Sequence, residues 1–198
     1  MSEWHVRESR VEYETGWYAG GYDEVDQPDG TAKRYYWAEL APAVVVVARD
    51  GEAVVVVEQY RPAIRRRCLE LPAGIVEWTD RDAPAPDERR GHASGNDPGP
   101  TPAAYERAAR RELREETGYA AGEVTHVEDV WCSTGVLRHR RGFVVARDLT
   151  PGDPDPDGNE FIDVRRVPVE EALATAREAP VNDATLEGLL LARADGYL

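Results

Sequence analysis

The sequence predicts an α/β fold in which a mixed β-sheet packs between α-helices, with an antiparallel strand region at the N-terminus. Two observations favour this fold. Valine-rich runs of strand length occur at 43–48 and 53–57, and residues 102–117 form a helical run with end signals on both sides. Short strands and helices then alternate to the end of the chain, as expected for one sheet covered by helices.

The first 40 residues predict two or three antiparallel strands. Aromatic and polar residues alternate there around turn signals at Gly20-Gly21 and Pro28-Asp29-Gly30. We assign residues 1–40 to an N-terminal strand region that could serve in dimerisation, and residues 41–198 to the main domain. The two valine runs are separated by Arg49-Asp50-Gly51-Glu52, which predicts a hairpin of buried strands.

The second half of the chain predicts three helices and three strands after a long loop. The loop, at about residues 80–101, is rich in Pro, Gly, Asp and Arg without periodicity, and could be a lid, an interface or a solvated spacer. Thr101 caps the helix over 102–117, Pro102 suits its first turn and Gly118 ends it. The other predicted strands are 124–130, 142–146 and 160–164, and the other helices are 169–178 and 183–194, the last with Leu186, Leu189 and Leu190 at helical spacing.

The charge balance is strongly acidic. Lys33 is the only lysine among 24 basic residues, against 38 acidic residues, and the formal net charge is −14. Such a surface repels polyanions at ordinary salt, so we expect neither nucleic acid nor an anionic membrane as a partner. It also favours a source that lives in high salt, where dense carboxylates keep a protein hydrated, with ordinary acidic composition as the alternative.

Cysteine use and hydropathy indicate the compartment. Cys68 and Cys132 are isolated and show no metal-ligand spacing, which favours a reduced cytoplasm. The N-terminus carries no signal pattern, and no apolar run approaches the roughly 20 residues that span a bilayer. We therefore expect a cytoplasmic protein. The histidines lie far apart in sequence and predict no zinc site: His5, His92, His126 and His139.

Three glutamates on the helix over 102–117 predict a metal site. Glu112, Glu115 and Glu116 stand at i, i+3 and i+4, which places three carboxylates on one face within about one turn. Like charges this close disfavour a helix unless a cation sits among them, and Mg²⁺ or Mn²⁺ prefers such oxygen ligands. The alternative is a solvated face on which neighbouring arginines pair the glutamates.

A cluster of arginines precedes this helix in the sequence. Arg61 follows Gln59-Tyr60, and Arg65-Arg66-Arg67 comes shortly after. Guanidinium groups match phosphate oxygens, so we expect Arg61 to contact a phosphate. A loop whose arginines balance acidic neighbours is the alternative.

The chain resembles the Nudix hydrolases in two segments, Leu69-Glu70-Leu71-Pro72-Ala73-Gly74 and Arg111-Glu112-Leu113-Arg114-Glu115-Glu116-Thr117-Gly118-Tyr119. The family signature reads Gly, five residues, Glu, seven residues, then Arg-Glu-aliphatic-any-Glu-Glu-any-Gly-aliphatic. Its second half is complete from Arg111 to Gly118, with Tyr119 at the last position. Gly74 and Arg111 are 37 positions apart where the signature has 14, so 23 residues are inserted. The signature glutamate falls on Asp80 when counted from Gly74, and on Ala103 when counted back from Arg111.

Within that family the chain resembles the ADP-ribose pyrophosphatase group. The resemblance lies in Gln59-Tyr60-Arg61, in the segment from Leu69 to Gly74 and in the Pro28-Asp29-Gly30 turn. It implies a Nudix fold, a homodimer through the N-terminal strands, and hydrolysis of a nucleoside diphosphate linked to another moiety. ADP-ribose, giving AMP and ribose 5-phosphate, is the first choice. The alternatives are a nucleotide sugar, a dinucleoside polyphosphate, an oxidised nucleotide, or a module that senses a nucleotide without hydrolysing it.

The resemblance also implies site residues. By this resemblance the metal ligands would be the backbone carbonyl of Ala73 and the carboxylates of Glu112, Glu116 and Glu160. The helical spacing adds Glu115 to this set. Arg111 would orient the glutamates, and the proton acceptor stays open among Glu115, Glu160 and Asp157. The expected substrate contacts are Arg61, Glu70, Arg34 and Arg138. Arg138-His139 stands where the group tends to have acidic residues, which leaves room for an extra phosphate or a different sugar.

Overall fold

The computed structural model describes residues 3–82, 98–155, 158 and 161–198. These residues divide into two compact units. Residues 3–42, 98–99 and 130–140 form the first, and the remaining described residues form the second. Most of the long loop predicted over 80–101 lies outside the described residues, as do His92, Asp157 and Glu160.

The described strands and helices follow one another in this order: β1 (Val6–Glu14), β2 (Tyr18–Asp26), β3 (Ala32–Leu40), β4 (Ala43–Asp50), β5 (Ala53–Arg61), β6 (Arg66–Glu70), β7 (Ala73–Ile75), α1 (Pro102–Thr117), β8 (Ala120–Trp131), β9 (Leu137–Arg138), β10 (Arg140–Thr150), β11 (Ile162–Pro168), α2 (Val169–Thr175) and α3 (Asp183–Ala194). A 3₁₀ turn at Trp78–Asp80 follows β7. No helix in these ranges is long and apolar enough to cross a membrane.

The first unit is a four-stranded sheet in the order β1-β2-β3-β9. Strands β1, β2 and β3 pair antiparallel to one another, as predicted, and β9 pairs parallel to β3 at Ala38 and Glu39. β1 is an edge strand, and all nine of its residues are exposed. Among the described strands, only β2 pairs with β1, so β1 forms one edge of this sheet.

The second unit is built on a mixed sheet in the order β11-β5-β4-β10-β8, with β6 beside β5 and β7 beside β4. β10 runs parallel to β4, whereas β5 runs antiparallel to β4, β6 and β11. The valines at 44–47 and 54–57 are at most 2% exposed. A strand buried on both faces needs apolar side chains at successive positions, which explains the continuous valine runs. The predicted hairpin is confirmed.

Helix α1 begins and ends where its caps predict. The Thr101 side chain accepts a hydrogen bond from the Ala104 amide, and Gly118 takes the left-handed conformation at φ 77°. The face that carries Tyr105 and Leu113 packs into the core of the second unit. Glu116 belongs to the same buried side of α1, where the helix packs against β7.

Helix α3 has the predicted bounds and buries only part of its apolar set. Leu186 is half-buried and Leu189 is buried, but Leu190 is 50% exposed. The buried residues of α3 are Thr185, Gly188, Leu189 and Ala192. Successive residues on a helix are rotated by about 100°, so Leu190 turns away once Gly188 and Leu189 face the core. A Cβ atom at Gly188 would lie 2.8 Å from a terminal methyl of Leu71, so glycine leaves room for that leucine.

Candidate active site

Arg111 on α1 joins three acidic side chains and a backbone carbonyl. Its Nη1 donates to Glu112 at 2.8 Å and to Glu115 at 3.0 Å, while its Nη2 donates to the Ile75 carbonyl at 2.7 Å and to Asp80 at 2.9 Å. Burial lowers the pKa of Arg111, but the hydrogen bond to Asp80 and the charges of Glu112 and Asp80 raise it more. The net pKa lies above its ordinary value, so this side chain is a permanent cation among the carboxylates.

Asp80, the position that the count from Gly74 gives for the signature glutamate, contacts Arg111. It is buried, and its Oδ2 accepts from the Glu77 amide at 3.0 Å as well as from Arg111. Arg107, one turn before Arg111, donates to the Asp80 carbonyl at 2.7 Å. Ala103, the other position that the spacing allowed, is exposed in the first turn of α1. Asp80 therefore lies in contact with the helix that carries the three glutamates, and the inserted residues follow it in the sequence.

Glu112 and Glu116 face the short strand β7. Glu116 is buried, and its Oε2 accepts from the Ala73 amide at 3.1 Å. The Glu112 carboxylate fills the space beside Gly74, where a Cβ atom would lie 2.0–2.2 Å from the carboxylate atoms. A side chain at position 74 would displace the Glu112 carboxylate from this place, which gives a physical reason for the glycine at the start of the motif.

Glu115 completes the set on the same side of α1, with 40% of its side chain exposed. Within the described residues, no three His, Cys, Asp or Glu side chains are arranged to hold a metal ion. The reason is visible in the contacts, because Arg111 holds Glu112 and Glu115 while Glu116 is turned to the Ala73 amide. The donor chemistry fits Mg²⁺ or Mn²⁺, since all three groups are hard carboxylate oxygens next to a strand with backbone carbonyls.

The solvated-face alternative describes part of this arrangement only. Arg111 does pair two of the glutamates, as that alternative expects. Arg110, however, donates to the Ala121 carbonyl, and Glu116 is withdrawn from solvent. Burying a carboxylate is costly, so a helix that merely solvates its charges would not be expected to bury Glu116.

Glu70 is a buried hub at the end of β6. It accepts hydrogen bonds from Gln59 at 3.3 Å, from Nε of Arg61 at 2.9 Å and from Nδ2 of Asn182 at 3.0 Å. Burial lowers the pKa of Arg61, but the Glu70 hydrogen bond and charge raise it more, so the net pKa lies above its ordinary value. The structure thus brings Arg61 and Glu70 together as one ion pair, with the Arg61 side chain 44% exposed.

Arg67, from the basic run after Arg61, balances acidic neighbours. Its Nη1 lies 3.8 Å from Glu58 and 3.5 Å from Asp163. Arg66 donates to the carbonyl of Arg65. For Arg67, the contacts match the alternative in which these arginines neutralise nearby carboxylates.

Arg34 and Arg138 belong to the first unit, and both are engaged there. Arg34 lies 3.4 Å from Glu24 and over the Tyr22 ring. Arg138 lies over the Trp37 ring, 4.0 Å from its centroid. Arg138 also forms an ion pair with Asp23 and lies 3.8 Å from the buried Glu39.

The sequence model of the NUDIX domain matches residues 39–188. The chain belongs to the Nudix family. This Nudix protein is 28% identical over 165 residues to the ADP-ribose pyrophosphatase of Bacillus subtilis (strain 168), a match that covers 82% of this chain and 77% of the relative. It is 32% identical over 152 residues to the ADP-sugar pyrophosphatase of Mus musculus, covering 72% of this chain and 59% of that protein.

The solved structures confirm the Nudix fold. The chain is similar to a crystal structure of an ADP compounds hydrolase with a TM-score of 0.77 and 18% identity, over 100% of this chain and 98% of the other. The predicted fold class is therefore confirmed. The predicted enzyme class, a Nudix-type pyrophosphatase, is confirmed at the level of the family.

Sequence reasoning missed two residues of this Nudix site. Arg107 clamps the Asp80 carbonyl, and its place four residues before Arg111 on the same ridge of α1 could have indicated it. Asn182 reaches Glu70 across 112 positions of sequence. An Asn-Asp pair before a helical run marks Asn182 as a cap, but no local pattern identifies its partner.

Proposed function

We propose that this Nudix hydrolase cleaves ADP-ribose to AMP and ribose 5-phosphate with Mg²⁺ or Mn²⁺. The observation that carries the proposal is the assembly of Glu112, Glu115 and Asp80 around Arg111, with Glu116 bound to the strand that starts at Ala73. The substrate class follows the names of the Bacillus subtilis and Mus musculus relatives, an ADP-ribose and an ADP-sugar pyrophosphatase.

The residues proposed to hold the cations are Glu112, Glu115, Glu116 and Glu160, with the backbone carbonyl of Ala73. A bound divalent cation would neutralise the diphosphate and lower the pKa of a water molecule. Arg111 would keep Glu112 and Glu115 from turning away, because its Nη2 is itself anchored on Asp80 and Ile75. Glu115, Glu160 and Asp157 stay the alternatives for the proton acceptor, and the partial exposure of Glu115 suits it to that task.

Arg61 is proposed to grip the diphosphate. Glu70 accepts hydrogen bonds from Nε and Nη2 of Arg61, which fixes the plane of the guanidinium group. The Nη1 hydrogens of Arg61 would then bind a phosphate oxygen. Glu70 would then act on the substrate through Arg61, since its own carboxylate is buried under several donors. Arg34 and Arg138 stay proposed as substrate contacts, each already held by a carboxylate of its own unit.

The test is product release from a panel of nucleotides, with Mg²⁺ or Mn²⁺, at low and at multimolar salt. The panel contains ADP-ribose, other nucleotide sugars, dinucleoside polyphosphates and an oxidised nucleoside triphosphate. We expect AMP and ribose 5-phosphate from ADP-ribose to be released fastest. Faster turnover of another nucleotide would keep the hydrolytic function and change the assigned substrate. If the protein folds and binds metal but cleaves no nucleotide of the panel, the sensing alternative is favoured.

We further propose a homodimer through the first unit. β1 is an exposed edge strand, and Tyr13, Trp17 and Tyr36 expose 58%, 72% and 59% of their surface. Exposed aromatic side chains near an open strand edge are typical of an interface between chains. Light scattering after size exclusion should give twice the 22.0 kDa chain mass, and Trp17→Ser with Tyr36→Ser should shift it toward the monomer.

The proposed setting is a reducing cytoplasm of high salt content. The net charge of −14 and a single lysine support the high salt, and the free thiols of Cys68 and Cys132 support the reducing compartment. Activity measured against KCl concentration tests the first part. An optimum in the molar range is expected, and a steady decline from low salt would contradict it.

A further inference from the structure

The start of helix α3 contacts the segment that leads into the active site. Thr185 is 2% exposed, and its Oγ1 accepts a hydrogen bond from the Leu71 amide at 3.1 Å. Leu71 lies two residues before Ala73, whose amide binds Glu116. A buried amide that lost this partner would have to move or stay unsatisfied, so Thr185 constrains the backbone from which Ala73 follows.

A packing contact constrains the same leucine independently. A Cβ atom at Gly188, one turn after Thr185, would lie 2.8 Å from a terminal methyl of Leu71. The Leu71 side chain therefore occupies the space that this glycine leaves open, and Leu71 is only 1% exposed. α3 thus holds Leu71 through its backbone and its side chain at once, which is more than capping the helix requires.

Asn182 links the same helix start to the Arg61–Glu70 pair. Its Oδ1 accepts from the Thr185 amide at 2.9 Å and from the Thr185 hydroxyl at 3.1 Å, which is the N-cap of α3. These two donors leave its Nδ2 to donate to Glu70 at 3.0 Å. The cap therefore orients the amide group, and the amide group in turn holds the carboxylate that fixes Arg61.

We propose that Asn182 and Thr185 are positioning residues, which couple the N-terminus of α3 to the two halves of the active site. Thr185 would set the metal-binding strand through Leu71, and Asn182 would set the diphosphate-binding Arg61 through Glu70. The assignment rests on the proposed function for the roles of Ala73 and Arg61. Neither side chain is expected to touch the substrate.

The role of Thr185 is tested by measuring Mn²⁺ binding to the full-length chain. Binding is detected as a loss of the free-ion signal in electron paramagnetic resonance. Thr185→Val keeps the shape and removes the hydroxyl, so we expect Mn²⁺ affinity to fall about tenfold. Thr185→Ser restores the hydroxyl and should stay within about twofold of the wild type. Leu189→Ala, a buried change on the same helix, is the control for general loss of stability and should leave the affinity unchanged.

Two results would overturn the Thr185 assignment: wild-type affinity in Thr185→Val, or an equal loss in Leu189→Ala. The same measurements distinguish a failure of the positioning role from a failure of the proposed hydrolytic activity. If the wild type binds Mn²⁺ and shows the expected variant pattern without cleaving any nucleotide of the panel, the positioning role stands and the hydrolytic function falls. If the wild type cleaves ADP-ribose but Thr185→Val keeps its Mn²⁺ affinity, the hydrolytic function stands and the positioning role of Thr185 falls.

The Asn182 half is tested by steady-state cleavage of ADP-ribose. Asp and Ser cap helices about as well as Asn does, so Asn182→Asp and Asn182→Ser keep the cap. Asn182→Asp places a second carboxylate against Glu70, and we expect KM to rise about tenfold with kcat changed less than about threefold. Asn182→Ser should raise KM less. Asp183→Asn, which alters the charge of the adjacent residue, is the control and should leave KM unchanged. If KM in Asn182→Asp stays within about twofold of the wild type, Asn182 only caps the helix.

Discussion

The Oδ2 atom of Asp80 accepts a hydrogen bond at 2.9 Å from Nη2 of Arg111, which lies 31 positions further along the chain. The inserted residues all fall between these two partners. The Asp80 carbonyl is held in addition by Arg107 at 2.7 Å. Two arginines one turn apart on α1 therefore connect the segment before the insertion to the helix after it.

Asp80→Asn should weaken both stability and turnover. The change removes the negative charge that faces Arg111, which leaves this partly buried cation with one carboxylate fewer. We therefore expect the free energy of unfolding to fall by about 1–3 kcal/mol. We also expect kcat to fall about tenfold. Urea denaturation and steady-state kinetics measure the two effects. Asp82→Asn, which alters an exposed partner of Arg107, is the control and should stay close to the wild type. Equal effects of both variants would contradict the role given to Asp80.

Gly74→Ala should disable the site without unfolding the protein. The new Cβ would lie within about 2 Å of the Glu112 carboxylate, so this side chain must leave its place. Displacing a ligand by about 1 Å can cost about 10²-fold in rate, and we expect a loss of kcat of that order. Gly16→Ala serves as the control, because nothing lies within 4 Å of its Cβ position. Full activity in Gly74→Ala would show that Glu112 has another productive position.

Glu116→Gln should abolish most turnover while the fold stays intact. A glutamine oxygen can still accept from the Ala73 amide, but the charge needed for a divalent cation is lost. We expect kcat to fall about 10²- to 10³-fold, with an unchanged circular dichroism spectrum. Glu123→Gln, at an exposed ion pair with Arg147, should keep its activity. Unchanged turnover in Glu116→Gln would remove this residue from the catalytic set.

Cys68 should make the protein less stable at alkaline pH. Burial raises the pKa of its thiol, with a further contribution from the charge of Glu70. The unfolded thiol loses its proton near its ordinary pKa of about 8.5, so the stabilisation is complete below that pH and declines as pH rises toward the higher folded pKa. Chemical denaturation between pH 7 and 10 should show a decline that is smaller in Cys68→Ala. Equal dependence of stability on pH in the wild type and in Cys68→Ala would contradict this role of Cys68.

Salt should stabilise the fold. At a net charge of −14 the carboxylates repel one another, and added ions screen that repulsion. We expect Tm to rise by at least about 2–4 °C between 0.1 and 2 M KCl, which corresponds to about 1 kcal/mol for a chain of this size. Sucrose, an uncharged stabiliser, separates screening from exclusion effects. A Tm that falls with KCl would argue against adaptation to high salt.

The sequence by itself determined the local elements and the family. Thr101 and Gly118 delimit α1 through hydrogen bonds within a few residues, and the valine runs identify strands that only a buried sheet can accept. The second half of the Nudix signature is likewise contiguous, so Glu112, Glu115 and Glu116 were located without any structure. Each of these features depends on residues that are close together along the chain.

Only the tertiary structure decided the features that depend on distant residues. Counting positions could not choose between Asp80 and Ala103, because the insertion makes the spacing ambiguous and only the contact with Arg111 resolves it. The sequence showed Leu186, Leu189 and Leu190 at helical spacing, but only the structure shows that Leu189 is buried while Leu190 is 50% exposed. Glu70 and Asn182 meet across 112 positions. Periodicity and capping preferences report on neighbours within a few turns, whereas these contacts arise from packing between elements, which no local pattern encodes.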